Sequence, residues 1–200
     1  STGASQRYRN AVTLGSNDVP NSSKTLTGST VTFDNTVNAA TAGAQSLVVA
    51  GDTVFNNTVG ATTKLGALSV SGTTTFNAGA VSVDTTNSNG GTGNQTYSGL
   101  VTLNDNEALT ASGAGTIALN GGLTGNGKTL TISAQTAVNL GDGLGADSLT
   151  GLSTVDVTST GGISIKASAI DSSGASQRYR NAVTLGSNDV PNSSKTLTGS

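Results

Sequence analysis

The sequence contains no cysteine, histidine, methionine or tryptophan, and each absence removes a class of chemistry. Without cysteine there is no disulfide to staple a small core and no thiolate nucleophile. Without histidine there is neither a Ser-His-Asp arrangement nor a Cys/His metal site. Aromatic residues make up 3% of the chain and charged residues 10%, the latter well below the quarter usual in a soluble domain. A net charge of −2 gives no field to hold nucleic acid or an anionic lipid surface, so neither is an expected partner. No apolar run approaches the ~18 residues of a membrane span and no signal-peptide core is present, so membrane insertion is not expected in this segment. Lack of methionine leads us to expect an internal piece of a longer chain, with any targeting sequence outside it. Lack of cysteine suits a secreted bacterial surface protein, and a cytosolic protein equally.

What is present is repetition. Thr30-Val31-Thr32-Phe33-Asp34-Asn35 returns as Asp52-Thr53-Val54-Phe55-Asn56-Asn57 and again as Thr73-Thr74-Thr75-Phe76-Asn77-Ala78. The phenylalanine positions set the spacing, 55 − 33 = 22 and 76 − 55 = 21. Ser46-Leu47-Val48-Val49-Ala50-Gly51 is answered in the same way by Ala67-Leu68-Ser69-Val70-Ser71-Gly72. A period of this length is the signature of a solenoid. Within each copy apolar and polar residues alternate, which predicts strands. Phe33, Phe55 and Phe76 then form one inward column and Asp34, Asn56 and Asn77 a turn column beside it, with Gly51 and Gly72 at a corner. Strands stacked about 4.8 Å apart would let the asparagines pass hydrogen bonds between turns and the phenylalanine rings stack. The expected fold is all-β, a right-handed parallel β-helix of about 21 residues per coil. The alternative is a pair of tandem immunoglobulin-like sandwiches, which leaves the short repeat unexplained. A disordered linker is the reading that registered apolar columns oppose.

A longer period is superimposed. Gly3 to Ser29 reappears unchanged as Gly174 to Ser200, an offset of 174 − 3 = 171. Gln95-Thr96-Tyr97 echoes Gln6-Arg7-Tyr8 between the two. We therefore expect residues 1–200 to be one continuous solenoid segment and 3–173 one full tandem repeat. That repeat divides into two diverged halves of about 3–91 and 92–173, and 174–200 begins the next. At about 21 residues per coil the repeat would hold about eight coils, advance roughly 38 Å, and return the same surface to the same side of the axis.

Thr30 to Val83, together with Tyr97 to Gly122, resembles the repetitive regions of filamentous-haemagglutinin-type giant exoproteins and autotransporter passengers. The resemblance implies a secreted, surface-attached β-helical shaft used in adhesion, cell–cell contact or biofilm structure, and it carries over no binding residue. The expected location is the bacterial cell surface. Expected partners are neighbouring repeats, other copies by lateral or end-to-end association, and a cell-surface glycan in the alternative reading of a glycan-binding module.

Candidate sites are few. Arg7-Tyr8-Arg9 and its copy Arg178-Tyr179-Arg180 form the one dense cationic cluster. Arginine beside tyrosine suits sugars or carboxylates, while alternation alone predicts an inward tyrosine between two exposed arginines. Gly141 to Gly151, with Asp142 and Asp147, is similar to a calcium-binding glycine/aspartate turn, but such sites need several successive copies, so no metal and no cofactor are expected. The threonine pairs Thr30/Thr32 and Thr73/Thr75 could suit an ice-binding face, but Asp52 and Val54 break the column. The eleven carboxylates, Glu107 among them, form no acid/base pair in sequence, and no enzymatic activity is expected.

Overall fold

The alternation of valine, leucine, isoleucine and phenylalanine with threonine, serine and asparagine produces strands that bury one face and leave the other wet. The structure, a computed structural model, describes residues 3–15, 22–79, 81–144, 147–186 and 195–199. Among these there is no helix, and the strands stack in parallel as a β-solenoid of about eight turns.

Three parallel ladders run the length of the solenoid. Ladder A contains residues 6–8, 30–33, 52–55, 74–76, 101–103, 123–124, 148–152, 169–172 and 196–199. Ladder B begins with residues 12–14 and 37–39 and single bridges at Val59 and Val83, then becomes regular through 107–112, 129–134, 154–159 and 176–180. Ladder C takes residues 22–27, 45–50, 67–70, 95–97, 117–119, 137–140, 163–165 and 183–185. The chain visits A, B and C in that order once per turn. The long strands Ser22–Phe33 and Gln45–Phe55 each run from C into A around a corner.

That corner is a column of glycines. Gly51 has φ +148°, and a Cβ placed there would collide with the carbonyl oxygen of Gly28 one turn away. Gly72 stacks next, and its N–H donates to the Gly51 carbonyl at 3.2 Å. The backbones approach this closely because neither residue has a side chain.

The interior holds three sets of columns. In ladder A the side chains of Tyr8, Phe33, Phe55 and Phe76 lie over one another, with ring centroids 5.2, 5.3 and 5.6 Å apart and planes within 15° of parallel. Ladder C contributes Leu47/Val49, Leu68/Val70, Ile117/Leu119, Val138/Leu140 and Ile163/Ile165, all buried. Tyr97 belongs to this ladder, opposite Val70 and Leu119. Its ring meets Phe76 edge-on, at 6.0 Å and 73°. Ladder B adds Leu109/Ala111, Leu130/Ile132 and Val155/Val157, buried as well.

Turn length is where the structure departs from the sequence expectation. Val31 is followed in ladder A by Thr53 and then Thr74, at the intervals that the phenylalanine spacing predicts. The next ladder position is Val101, an interval of 101 − 74 = 27. Of the 27 − 21 = 6 additional residues, three lie between ladders A and B, where the step from Thr74 to Val83 replaces that from Thr53 to Val59, and three between B and C, where Val83 to Gln95 replaces Val59 to Leu68. Corners accept insertions because only the ladder residues must stay in register. The average is about 23 residues per turn.

Candidate interaction face

The two Arg-Tyr-Arg segments have the side-chain orientation that alternation predicts. Arg7, Arg9, Arg178 and Arg180 are exposed, and Tyr8 and Tyr179 are half-buried against the core. Each tyrosine hydroxyl donates inward to the glutamine two residues before it: Tyr8 to Gln6 Oε1 at 2.8 Å and Tyr179 to Gln177 Oε1 at 3.0 Å. Tyr97 makes the same bond to Gln95 at 3.0 Å. Each glutamine amide then donates to backbone carbonyls: Thr27 for Gln6, Val83 and Thr110 for the buried Gln95, and Ile170 and Thr198 for Gln177. Gln-x-Tyr is thus an internal polar clip that lets a phenol and an amide be buried without orphaned groups. Burial pushes the Tyr179 hydroxyl up to about 12, so it stays a neutral donor.

Each segment also meets one carboxylate from the adjoining turn. Arg7 Nε donates to Asp34 Oδ2 at 2.7 Å. Arg180 grips Asp156 with two bonds, Nε to Oδ1 at 3.1 Å and a terminal nitrogen to Oδ2 at 2.7 Å. The arginine hydrogen bonds hold both aspartates below the usual carboxylate range, helped by the charges of Arg9 and Arg178 respectively. One arginine of each pair is therefore occupied within the chain, and the tyrosine rings face the core. This leaves no aromatic platform for a sugar beside the cations.

Asp34 has a second role. Its Oδ1 accepts from Asn56 Nδ2 at 3.0 Å, and Asn56 Oδ1 accepts from Asn77 at 2.7 Å. The relay continues from Asn104 to Asn77 at 2.8 Å and from Asn126 to Asn104 at 3.1 Å. The expected turn column of Asp34, Asn56 and Asn77 thus extends two turns further. Every amide in it donates towards the carboxylate, which Arg7 closes.

The two identical segments lie on different sides of the solenoid. Gln6-Arg7-Tyr8 is in ladder A, opposite Val31-Thr32-Phe33, whereas Gln177-Arg178-Tyr179 is in ladder B, opposite Val155-Asp156-Val157. The intermediate Gln95-Thr96-Tyr97 is in ladder C. From Gln6 to Gln95 the chain makes three and two-thirds turns, and from Gln95 to Gln177 three and two-thirds again. The offset between the identical segments is therefore seven and one-third turns, not eight whole ones, because the turns are longer than the phenylalanine spacing suggests. The Arg-Tyr-Arg strand consequently does not return to the same side after one repeat.

Of the remaining candidates, Asp142 and Asp147 come together through the Asp142 N–H, which donates to Asp147 Oδ2 at 3.0 Å, while Asp142 Oδ1 accepts from the Leu144 N–H at 2.6 Å. Gly145 and Ala146 lie outside the described residues. Among the described residues no three acidic side chains gather in a way that could hold a metal ion. Glu107 is the group that sequence reasoning overlooked. It is 2% exposed and neither carboxylate oxygen has a hydrogen-bond partner among the described residues. Burial, with the charges of Asp105 and Asp84, pushes it up to about 9. The signal was available, since Glu107 shares the inward parity of Leu109 and Ala111. Enclosed in this way it meets no substrate.

Compared with protein-family models, curated proteins and solved structures, the chain matches none.

Proposed function

We propose that this chain is a structural segment of an extracellular bacterial fibre or adhesin shaft, whose work is to span distance and resist unfolding. The observation that carries this reading is the uninterrupted parallel ladder. From residue 6 to residue 199 each turn is bonded to the next along one axis, and the aromatic column and the Asp34–Asn126 relay run in the same direction. A load applied along the axis is shared by many backbone bonds per turn, which suits a spacer. The resemblance to haemagglutinin-type shafts supports the surface location. Antibodies raised to this chain should label projections on intact cells that produce it, and external protease should remove the label. Labelling confined to lysed cells would sink the extracellular role.

A further inference from the structure

We propose that Asn120 is a site of spontaneous modification, at which the chain converts its own side-chain amide to aspartate and isoaspartate as it ages, and that the stacking of the solenoid creates the site.

Three asparagines are followed directly by glycine, at 89–90, 120–121 and 126–127. Deamidation there needs two groups to be free. The glycine N–H must give up its proton, and the asparagine side chain must turn until its Cγ meets that nitrogen; no Cβ on the glycine stands in the way. The N–Cγ bond forms, the Cγ–Nδ2 bond breaks, and the amide leaves as ammonia with the proton. Water then opens the succinimide ring at one of its two carbonyls. One opening gives ordinary aspartate, and the other leads the main chain through the former side chain. One ammonia is lost and one water is consumed, with nothing oxidised or reduced.

Hydrogen bonds hold both groups at two of the three dipeptides. Asn89 Nδ2 donates to the Ala42 carbonyl at 2.8 Å, and the Gly90 N–H donates to the Asn87 carbonyl at 3.2 Å. Asn126 Nδ2 donates to the Leu103 carbonyl at 3.0 Å and to Asn104 Oδ1 at 3.1 Å, and the Gly127 N–H donates to the Gly151 carbonyl at 2.6 Å. An N–H bonded in this way gives up its proton only when the bond opens. At the third dipeptide neither group is engaged: among the described residues the Asn120 side chain makes no hydrogen bond and the Gly121 N–H donates to no acceptor. Exposure alone would rank the sites in the opposite order, since Asn89 and Asn126 are exposed and Asn120 is half-buried.

The fold supplies the glycine. Gly121 continues the corner column of Gly51 and Gly72: a Cβ on Gly99 would lie 2.5 Å from the Gly72 carbonyl oxygen, and one on Gly121 would lie 2.5 Å from the Gly99 carbonyl carbon. No larger residue fits, so whatever precedes the corner is followed by glycine. The preceding residues are Ala50, Ser71 and Ser98 in the other three turns, and asparagine in this one. The products act on the same corner. Aspartate adds a negative charge there, and isoaspartate lengthens the main chain by one methylene between Leu119 and Leu123, which are held in register with Leu140 and Leu149. An aged chain therefore loosens first where ladder C passes into ladder A at this turn.

The test is a time course of the whole chain in warm, mildly alkaline buffer, with acid-quenched samples digested and mapped by mass spectrometry. Aspartate and isoaspartate should accumulate at position 120 several-fold faster than at 89 or 126. In denaturant, where every hydrogen bond is released, the three positions should convert at similar rates. Conversion at 89 or 126 as fast as at 120 in the folded chain would overturn the proposal. So would a folded chain unreacted at all three positions after the denatured one has converted. Asn120→Ser, which installs the residue that two neighbouring turns already carry, should melt with the parent and remove the fast-forming acidic species from ion-exchange profiles; its persistence would place the reaction elsewhere. These outcomes are independent of the surface-labelling test, since the reaction needs only the folded chain and water.

Discussion

Individual residues here answer mainly to the column in which they stand. Phe55 has parallel rings above and below it and is fully buried; each stacked pair is worth roughly 0.5–1.5 kcal/mol beyond its area. Phe55→Asp would place an unpaired charge between Phe33 and Phe76, and we expect a loss of more than about 4 kcal/mol, measured by denaturant unfolding. A variant melting with the parent would remove the column from the core. Glu107 gives a pH dependence of definite sign. Its folded value of about 9 lies above that of the unfolded carboxyl, so the native state holds its proton more tightly. The stability this contributes is complete at acid pH, declines above the ordinary carboxylate range, and is lost once pH passes about 9. The slope is about 1.4 kcal/mol per pH unit. Glu107→Gln should therefore gain on the parent steadily from about pH 5 to about pH 9 in parallel unfolding titrations, and a constant difference would show that the carboxyl is not buried in the folded chain.

Turns and ladders explain why some features are legible in sequence and others are not. The Phe33, Phe55, Phe76 column and the Asp34, Asn56, Asn77 column can be read because successive ladder strands there have nearly the same spacing. Asn104 follows a longer turn, 104 − 77 = 27 residues after its relay partner, and neither it nor Asn126 has a phenylalanine marker, since Leu103 holds the place opposite Phe76. Residues 87–94, Asn-Ser-Asn-Gly-Gly-Thr-Gly-Asn, read as a corner because they hold three glycines and no apolar residue, but composition does not say how long one turn is relative to another. The turns that start at Gln6, Thr74 and Leu123 span 31 − 6 = 25, 101 − 74 = 27 and 149 − 123 = 26 residues, and this is why the phenylalanine spacing implies recurrence after whole turns while seven and one-third are found. The relay makes its own prediction. Asn77→Ala leaves Asn104 without its acceptor and Asn56 without its donor, at a cost of about 1–3 kcal/mol. Asp34→Asn keeps an acceptor for Asn56 and loses only the exposed contact to Arg7, so it should cost clearly less. Thermal melts in which Asp34→Asn is the worse of the two would show that the ion pair, not the relay, secures this edge.

At the scale of the whole molecule, rise and rotation are fixed together. Seven and one-third turns at about 4.8 Å each give an advance of about 35 Å per repeat, and a given ladder regains the same sequence only after three such advances, about 106 Å. Helical reconstruction of a fibre built of successive tandem repeats should find a rise of about 35 Å coupled to a third of a revolution. A rise of about 38 Å without rotation would restore the whole-turn expectation. The rotation also decides how the rod is shaped. Because every turn stays bonded to the next in the ladders, the extra residues of a long turn cannot add to the axial step and must project sideways. Repeats joined in one orientation would line these projections up along one side of the rod. Turned by a third each time, they point to three azimuths in succession, and no side of the fibre is set apart from the others.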